Sequence, residues 1–158
     1  MKGKIKSYII AIIIPLVVGG LSALFTMGNM NIYDELKTPP LSPPSILFPI
    51  VWTILYILMG VSSGIIYNAE NSTAISKNSS LYTYAQSLFF NFFWSIFFFN
   101  LRAFLFSLFW LLVLLYLIVR TIIKYYKINK TAAFLQIPYL IWVTFAGYLN
   151  FGIWWLNR

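Results

Sequence analysis

Five runs of about twenty apolar residues dominate the chain, near 5–26, 46–67, 80–99, 103–123 and 132–155. A helix rising ~1.5 Å per residue needs roughly that length to cross ~30 Å of hydrocarbon, so each run reads as a membrane span. Lipid offers no hydrogen bonds, so the backbone must satisfy itself and helices are the expected form. The pattern predicts an all-α membrane protein, a bundle of five transmembrane helices in a single domain over 1–158. Short connectors make the spans antiparallel neighbours. The first run, "IKSYIIAIIIPLVVGGLSALF", follows Lys2, Lys4 and Lys6 as the core of a secretory signal would. Its apolar part exceeds the usual ~7–15 residues and no small-residue cleavage site closes it, so it is expected to be retained as a span.

The loop over 27–45 interrupts this pattern. Its stretch "KTPPLSPPSILFPIVW" places prolines at 39, 40, 43 and 44 and runs straight into the second span. Proline donates no backbone hydrogen bond and holds the residue before it extended, so this segment belongs outside the hydrocarbon. A chain so restricted loses little entropy when laid across the mouth of a bundle. It therefore reads either as a lid or as a plain rigid spacer. Ser45, or Ser42 with prolines in the first turn, is the expected cap of the second span.

Composition supports a lipid setting. The chain is 61% hydrophobic and 9% charged, against ~45–50% and ~25% in soluble domains. Eleven Lys and Arg against three Asp and Glu give a net charge of +8. The charges sit at segment ends rather than on one face, so no nucleic-acid partner is expected. Lys2, Lys4 and Lys6, together with Arg120, Lys124, Lys127 and Lys130, fall on one side if five spans alternate; Asp34, Glu35, Lys37, Arg102 and Arg158 fall on the other. The positive-inside rule then puts the N-terminus in the cytoplasm. The absence of cysteine and the Ile-, Lys-, Asn- and Phe-rich usage favour a prokaryotic plasma membrane.

Candidate chemistry lies in the polar and aromatic residues inside the runs. Trp52 and Tyr56 share a face of the second span; Gln86, Asn91, Trp94 and Ser95 lie in the third; Tyr139, Trp142, Ala146 and Asn150 follow one stripe of the fifth. Polar groups at membrane depth face the bundle interior and find partners there, so Asn91 and Asn150 read either as ligand contacts or as helix-to-helix hydrogen bonds. Trp154 and Trp155 fit an interfacial belt, and Trp110 packs on neighbours or on lipid. Gly60 with Gly64, and Gly19 with Ala23, allow close backbone approach within a monomer or across a dimer. No span carries Asp, Glu or Lys in its central part, which disfavours an ion pump or proton-coupled carrier. With no histidine or cysteine either, metal and acid/base chemistry lack their usual groups. A pocket of Trp, Tyr, Phe and Asn instead suits a flat, mostly apolar ligand.

Three blocks in order carry a resemblance. They are PP-x-x-PP before x-x-V-W-x-x-L-Y (Pro39 to Tyr56), Q-x-x-x-x-N-x-x-W-S-x-x-F-F (Gln86 to Phe99), and P-Y-x-x-W-x-x-F-A-x-x-L-N-x-x-x-W-x-x-N (Pro138 to Asn157). The chain resembles the TspO/MBR family, the tryptophan-rich sensory proteins related to the peripheral-type benzodiazepine receptor, over all five spans. The resemblance implies a five-helix membrane protein, commonly a homodimer, that binds porphyrins such as protoporphyrin IX as ligand, with no cofactor. It implies that the first long loop folds over the pocket as a lid. Matching positions imply Trp52 and Trp142 as lining, with Tyr56 on the same face as Trp52. They further imply Asn91 as a polar contact, Trp94 and Ala146 as walls, and Tyr33 and Pro43 from the loop.

Two positions depart from the pattern. Bacterial relatives usually have tryptophan before the loop tyrosine and between the proline pairs, where this chain has Ile32 and Leu41. A loose sterol pattern is matched by Leu114, Tyr116 and Arg120 in "LLYLIVR" and fails at the C-terminus. Three functions follow: porphyrin binding with a role in tetrapyrrole sensing, light-dependent degradation of protoporphyrin with Trp52 and Trp142 as redox partners, and tetrapyrrole or sterol transport.

Overall fold

The computed structural model describes residues 1–158, and every regular element in it is helical. The order is α1 (Lys2–Thr26), a 3-10 turn at Met27–Asn29, α2 (Ile32–Glu35), α3 (Leu47–Tyr67), α4 (Ala74–Ser95) running into a π turn (Ile96–Asn100), α5 (Phe104–Ile128), α6 (Lys130–Leu135) and α7 (Ile137–Asn157). Four helical stretches are long and apolar enough to cross a membrane: Lys2–Asn29, Leu47–Tyr67, Phe104–Ile128 and Lys130–Asn157. The expected count was five. α4 has the length, 22 residues, but its first 14 read "AISKNSSLYTYAQS" and are too polar for it to qualify on hydropathy.

Local chemistry explains the boundaries. Thr73 caps α4, its Oγ1 accepting from the Ser76 amide at 3.1 Å, and Asn129 caps α6 in the same way from Ala132. Pro138 in the first turn of α7 has no amide to offer and cannot continue α6, so the last membrane stretch is broken at Gln136. Neither Ser45 nor Ser42 caps α3, contrary to expectation. The Ser42 hydroxyl donates to the Pro39 carbonyl at 2.6 Å, and α3 starts from a turn in which the Leu47 amide bonds to the Pro44 carbonyl.

The helices form a ring in which α1 packs on α3, α3 on α6, α5 on α6, α7 and α4, and α4 on α1. Small residues set the closest approach. A Cβ at Gly60 would fall on the α1 backbone at Ala11 and Ile12, and one at Gly64 would meet the Tyr8 ring at 2.5 Å. The glycine pair of α3 therefore serves packing within one chain. α3 and α4 are joined by a short connector, yet they touch only slightly. The connector crosses the end of the bundle instead. Asn68 exchanges hydrogen bonds with Ser7, Glu70 meets Lys4 at 2.7 Å, and the Asn71 amide reaches the Ile128 carbonyl at 3.3 Å.

That end is the basic one, and its interior is filled. Ser62 donates to the Ala132 carbonyl at 2.7 Å, Gln136 Nε2 donates to Ser62 Oγ at 3.2 Å, and the Ser63 and Tyr125 hydroxyls lie 2.9 Å apart, all buried. The opposite end is where the helices stand apart.

Candidate functional site

A cavity of about 690 Å³ opens between the ends of α1, α3, α4 and α7 furthest from the basic face, bordered by Tyr33 and Asp34 of α2 and by Ser45 and Ile46, while no residue from 35 to 44 lines it. Its size falls within the ~300–1,000 Å³ of ordinary small-molecule sites. Rings make its walls. Trp52 stacks on Tyr56 with centroids 5.5 Å apart and meets Tyr139 edge-on at 6.3 Å. Trp142 stands edge-on to Phe48 at 5.9 Å, and Phe48 to Tyr33 at 5.0 Å. Such tilted pairs interlock, so the aromatic lining is held in one arrangement before any ligand arrives.

Polar partners fix the remaining wall. Asn150 Oδ1 accepts from Trp94 Nε1 at 3.0 Å and from Ser107 Oγ at 3.1 Å, while its Nδ2 donates to the Phe104 carbonyl at 2.8 Å. One buried amide thus orients the Trp94 indole and ties α7 to α4 and α5. The π turn after α4 lets the Leu101 amide bond back five residues to Ile96 and stacks Phe98 on Trp94 at 5.4 Å. Trp142 Nε1 is buried without an acceptor.

The proline loop is latched onto α7. Pro39 lies against Gly152, where a Cβ would come within 2.5 Å of Pro39 Cγ. Tyr148 Oη donates to the Pro40 carbonyl at 2.7 Å. Asn157 accepts from the Lys37 amide at 3.1 Å and donates to the Lys37 carbonyl at 2.9 Å. Across the mouth, Tyr33 Oη donates to the Pro43 carbonyl at 2.8 Å. Burial pushes the Tyr33 phenol above its ordinary value, so it remains a donor at neutral pH. Leu41 takes a left-handed conformation, φ 69°, at the exposed turn between the proline pairs.

Of the residues singled out from sequence, Tyr33, Trp52, Tyr56, Trp94, Trp142 and Ala146 line this cavity. Pro43 and Asn91 do not. Pro43 acts through its carbonyl on Tyr33, and Asn91 is buried with its Nδ2 donating to Tyr139 Oη at 3.2 Å, a bond between α4 and α7. Ile32 is buried and Leu41 points outward, so neither departure from the tryptophan pattern touches the cavity. The α1 wall was missed: Gly19, Ser22, Ala23 and Thr26 all face the cavity. Their spacing of three, four and seven, small and polar in an otherwise Ile- and Leu-rich helix, was the available signal. Trp110 serves packing, stacked on Phe90 at 4.2 Å with its Nε1 donating to the Phe90 carbonyl at 2.7 Å.

Asp34 is the one charged residue on the lining, and no cation stands there. Indoles, phenols, amides and hydroxyls can enclose, stack on and orient a flat molecule.

A tryptophan- and tyrosine-walled cavity in a bundle of membrane-length helices agrees with a match of the TspO/MBR family over residues 11–156. The chain belongs to the TspO/MBR family. It is 35% identical to the tryptophan-rich protein TspO of Chlorobaculum tepidum, covering 99% of each chain. It is 34% identical to protein CrtK of Rhodobacter capsulatus over 88% of this chain and 85% of that one. The translocator protein of Bos taurus is 31% identical over 92% and 87%. Membership makes the lipid bilayer the setting of this TspO/MBR chain, as a multi-pass membrane protein.

Proposed function

We propose that this chain binds protoporphyrin IX or a related tetrapyrrole between Trp52 and Trp142 and serves tetrapyrrole sensing. The observation that carries the reading is the aromatic cavity itself, already open at about 690 Å³, with the proline loop fastened to α7 beside it as its lid in this reading. Its largely apolar wall suits a macrocycle. With no cation on the wall, the acidic side chains of a porphyrin must stay at the mouth while the ring enters first. In this reading α4 is the fifth span and the basic end is cytoplasmic, in a prokaryotic plasma membrane. The homodimer rests on family resemblance alone.

Titration of the purified chain with protoporphyrin IX should quench tryptophan emission saturably; full emission at excess porphyrin overturns the proposal. A second reading is favoured by the two cavity indoles, which could exchange an electron with an excited porphyrin held against them. Under that reading the Soret band decays in light only with protein present, and Trp142→Phe slows the decay. Passive transport would show instead as light-independent movement of porphyrin across vesicles.

A further inference from the structure

Arg120 lies on the outer face of α5, eight residues before the helix ends at Ile128. At ~1.5 Å per residue that is roughly 12 Å short of the basic end and about 5 Å inside the apolar run that closes at 123, within the reach of a long side chain to the headgroups. No carboxylate neutralises it. Its partners are the hydroxyl of Tyr116, 3.3 Å away, and the Tyr116 ring, 5.9 Å from the guanidinium carbon. The acids of the chain are three: Asp34 and Glu35 sit in α2 by the cavity, and Glu70 is engaged by Lys4 in the one ion pair. An exposed guanidinium at the edge of hydrocarbon is costly unless an anion reaches it.

The surface around it is graded in the same sense. Phe109, Leu112, Tyr116, Arg120, Ile123 and Lys127 follow spacings of three and four and are all exposed, so they form one outward stripe. It is apolar towards the middle of the span and cationic towards the end. Lys130, exposed over the Tyr126 ring at 5.5 Å, extends the cationic part. We infer that this stripe is a binding site for one anionic phospholipid, its phosphate on Arg120 and Lys127 and its acyl chains along Tyr116, Leu112 and Phe109. A guanidinium grips a phosphate with two parallel N–H bonds, which a sterol's single neutral hydroxyl cannot answer. Basic residues clustered beside a span select anionic lipid by charge as well. The site is separate from the cavity and needs only that α5 spans the bilayer.

The full chain in neutral detergent is titrated with phosphatidylglycerol or with phosphatidylcholine of the same acyl chains, read by melting temperature and by lipid retained in native mass spectrometry. Phosphatidylglycerol should raise the melting temperature and persist as one lipid per chain, and phosphatidylcholine should do neither. Arg120→Gln and Lys127→Gln should each cut the preference about five-fold. Arg120→Lys should restore part of it, and Lys2→Gln, which removes the same charge elsewhere, should leave it intact. Helical content checks that each variant folds. Equal response to the two lipids, or an undiminished preference in the Arg120→Gln/Lys127→Gln double variant, overturns the site. So does a cholesterol-dependent rise that vanishes in Arg120→Gln without a phosphatidylglycerol effect.

Discussion

The two ends of the bundle are built from the same helices on opposite packing principles. At the basic end, Gly60, Gly64, Ser62, Ser63, Ala132 and Ala133 let backbones close up, and hydroxyls bond across helices until the interior is full. At the cavity end, Phe48 of α3 stands edge-on to Trp142 of α7 at 5.9 Å and Trp52 of α3 edge-on to Tyr139 of α7 at 6.3 Å, rings that keep the two helices apart. Small residues weld; large flat ones, interlocked edge to face, hold a space open. The contrast assigns stability to one end and recognition to the other, and substitutions should separate the two.

The largest effect on folding belongs to Gly60→Leu. With the α1 backbone already against Gly60, α1 must leave α3, and overpacking at a site that cannot yield costs about 3 kcal/mol or more. The melting temperature in detergent should fall by many degrees or the chain should fail to fold; an unchanged melt would show that the seam is loose.

Ala146→Leu is the mirror experiment. It fills the cavity beside Trp142 and should leave the melting temperature within a few degrees while weakening porphyrin at least about ten-fold by fluorescence titration. A stability loss as large as that of Gly60→Leu would erase the distinction between the ends.

Gly152→Val acts on the seat of the proline loop. Its side chain would displace Pro39 and strain the Tyr148 and Asn157 latches, each hydrogen bond worth ~1 kcal/mol. Faster porphyrin release with little change in melting is expected, and stopped-flow rates equal to wild type would count against a latched lid.

The smallest effect is at the exposed Lys4–Glu70 pair. The Lys4 ammonium holds the Glu70 carboxyl below its ordinary value, so its contribution is present above the usual carboxylate pKa and is lost as pH falls through the lowered one. Solvent screens both groups, and Glu70→Gln should not measurably shift the melting temperature at pH 7.

Sequence revealed much of this architecture, and its failures have identifiable causes. Four spans and the stiff proline loop between the first two were readable because hydropathy and proline chemistry are local. The cavity faces of α3 and α7 were readable because Trp52 with Tyr56, and Trp142 with Ala146, recur at one helical turn. The run at 80–99 was readable as a helix, and α4 stands there, but it starts earlier and its first 14 residues are too polar for it to count as a fifth span on hydropathy, which averages over faces. Asn91 and Asn150 look alike in sequence, yet one ties helices below the cavity and the other orients Trp94 on its wall. Depth along a helix relative to a neighbour is set by packing, which no spacing rule encodes. The α1 wall was overlooked because its marks are small residues, quieter than rings.

The most direct measurement is a crystal structure of the chain grown with protoporphyrin IX. The account predicts macrocycle density between Trp52 and Trp142 beneath residues 37–44, with its acidic side chains towards the mouth. Porphyrin bound on the lipid-facing surface, with the cavity empty of it, would contradict the account.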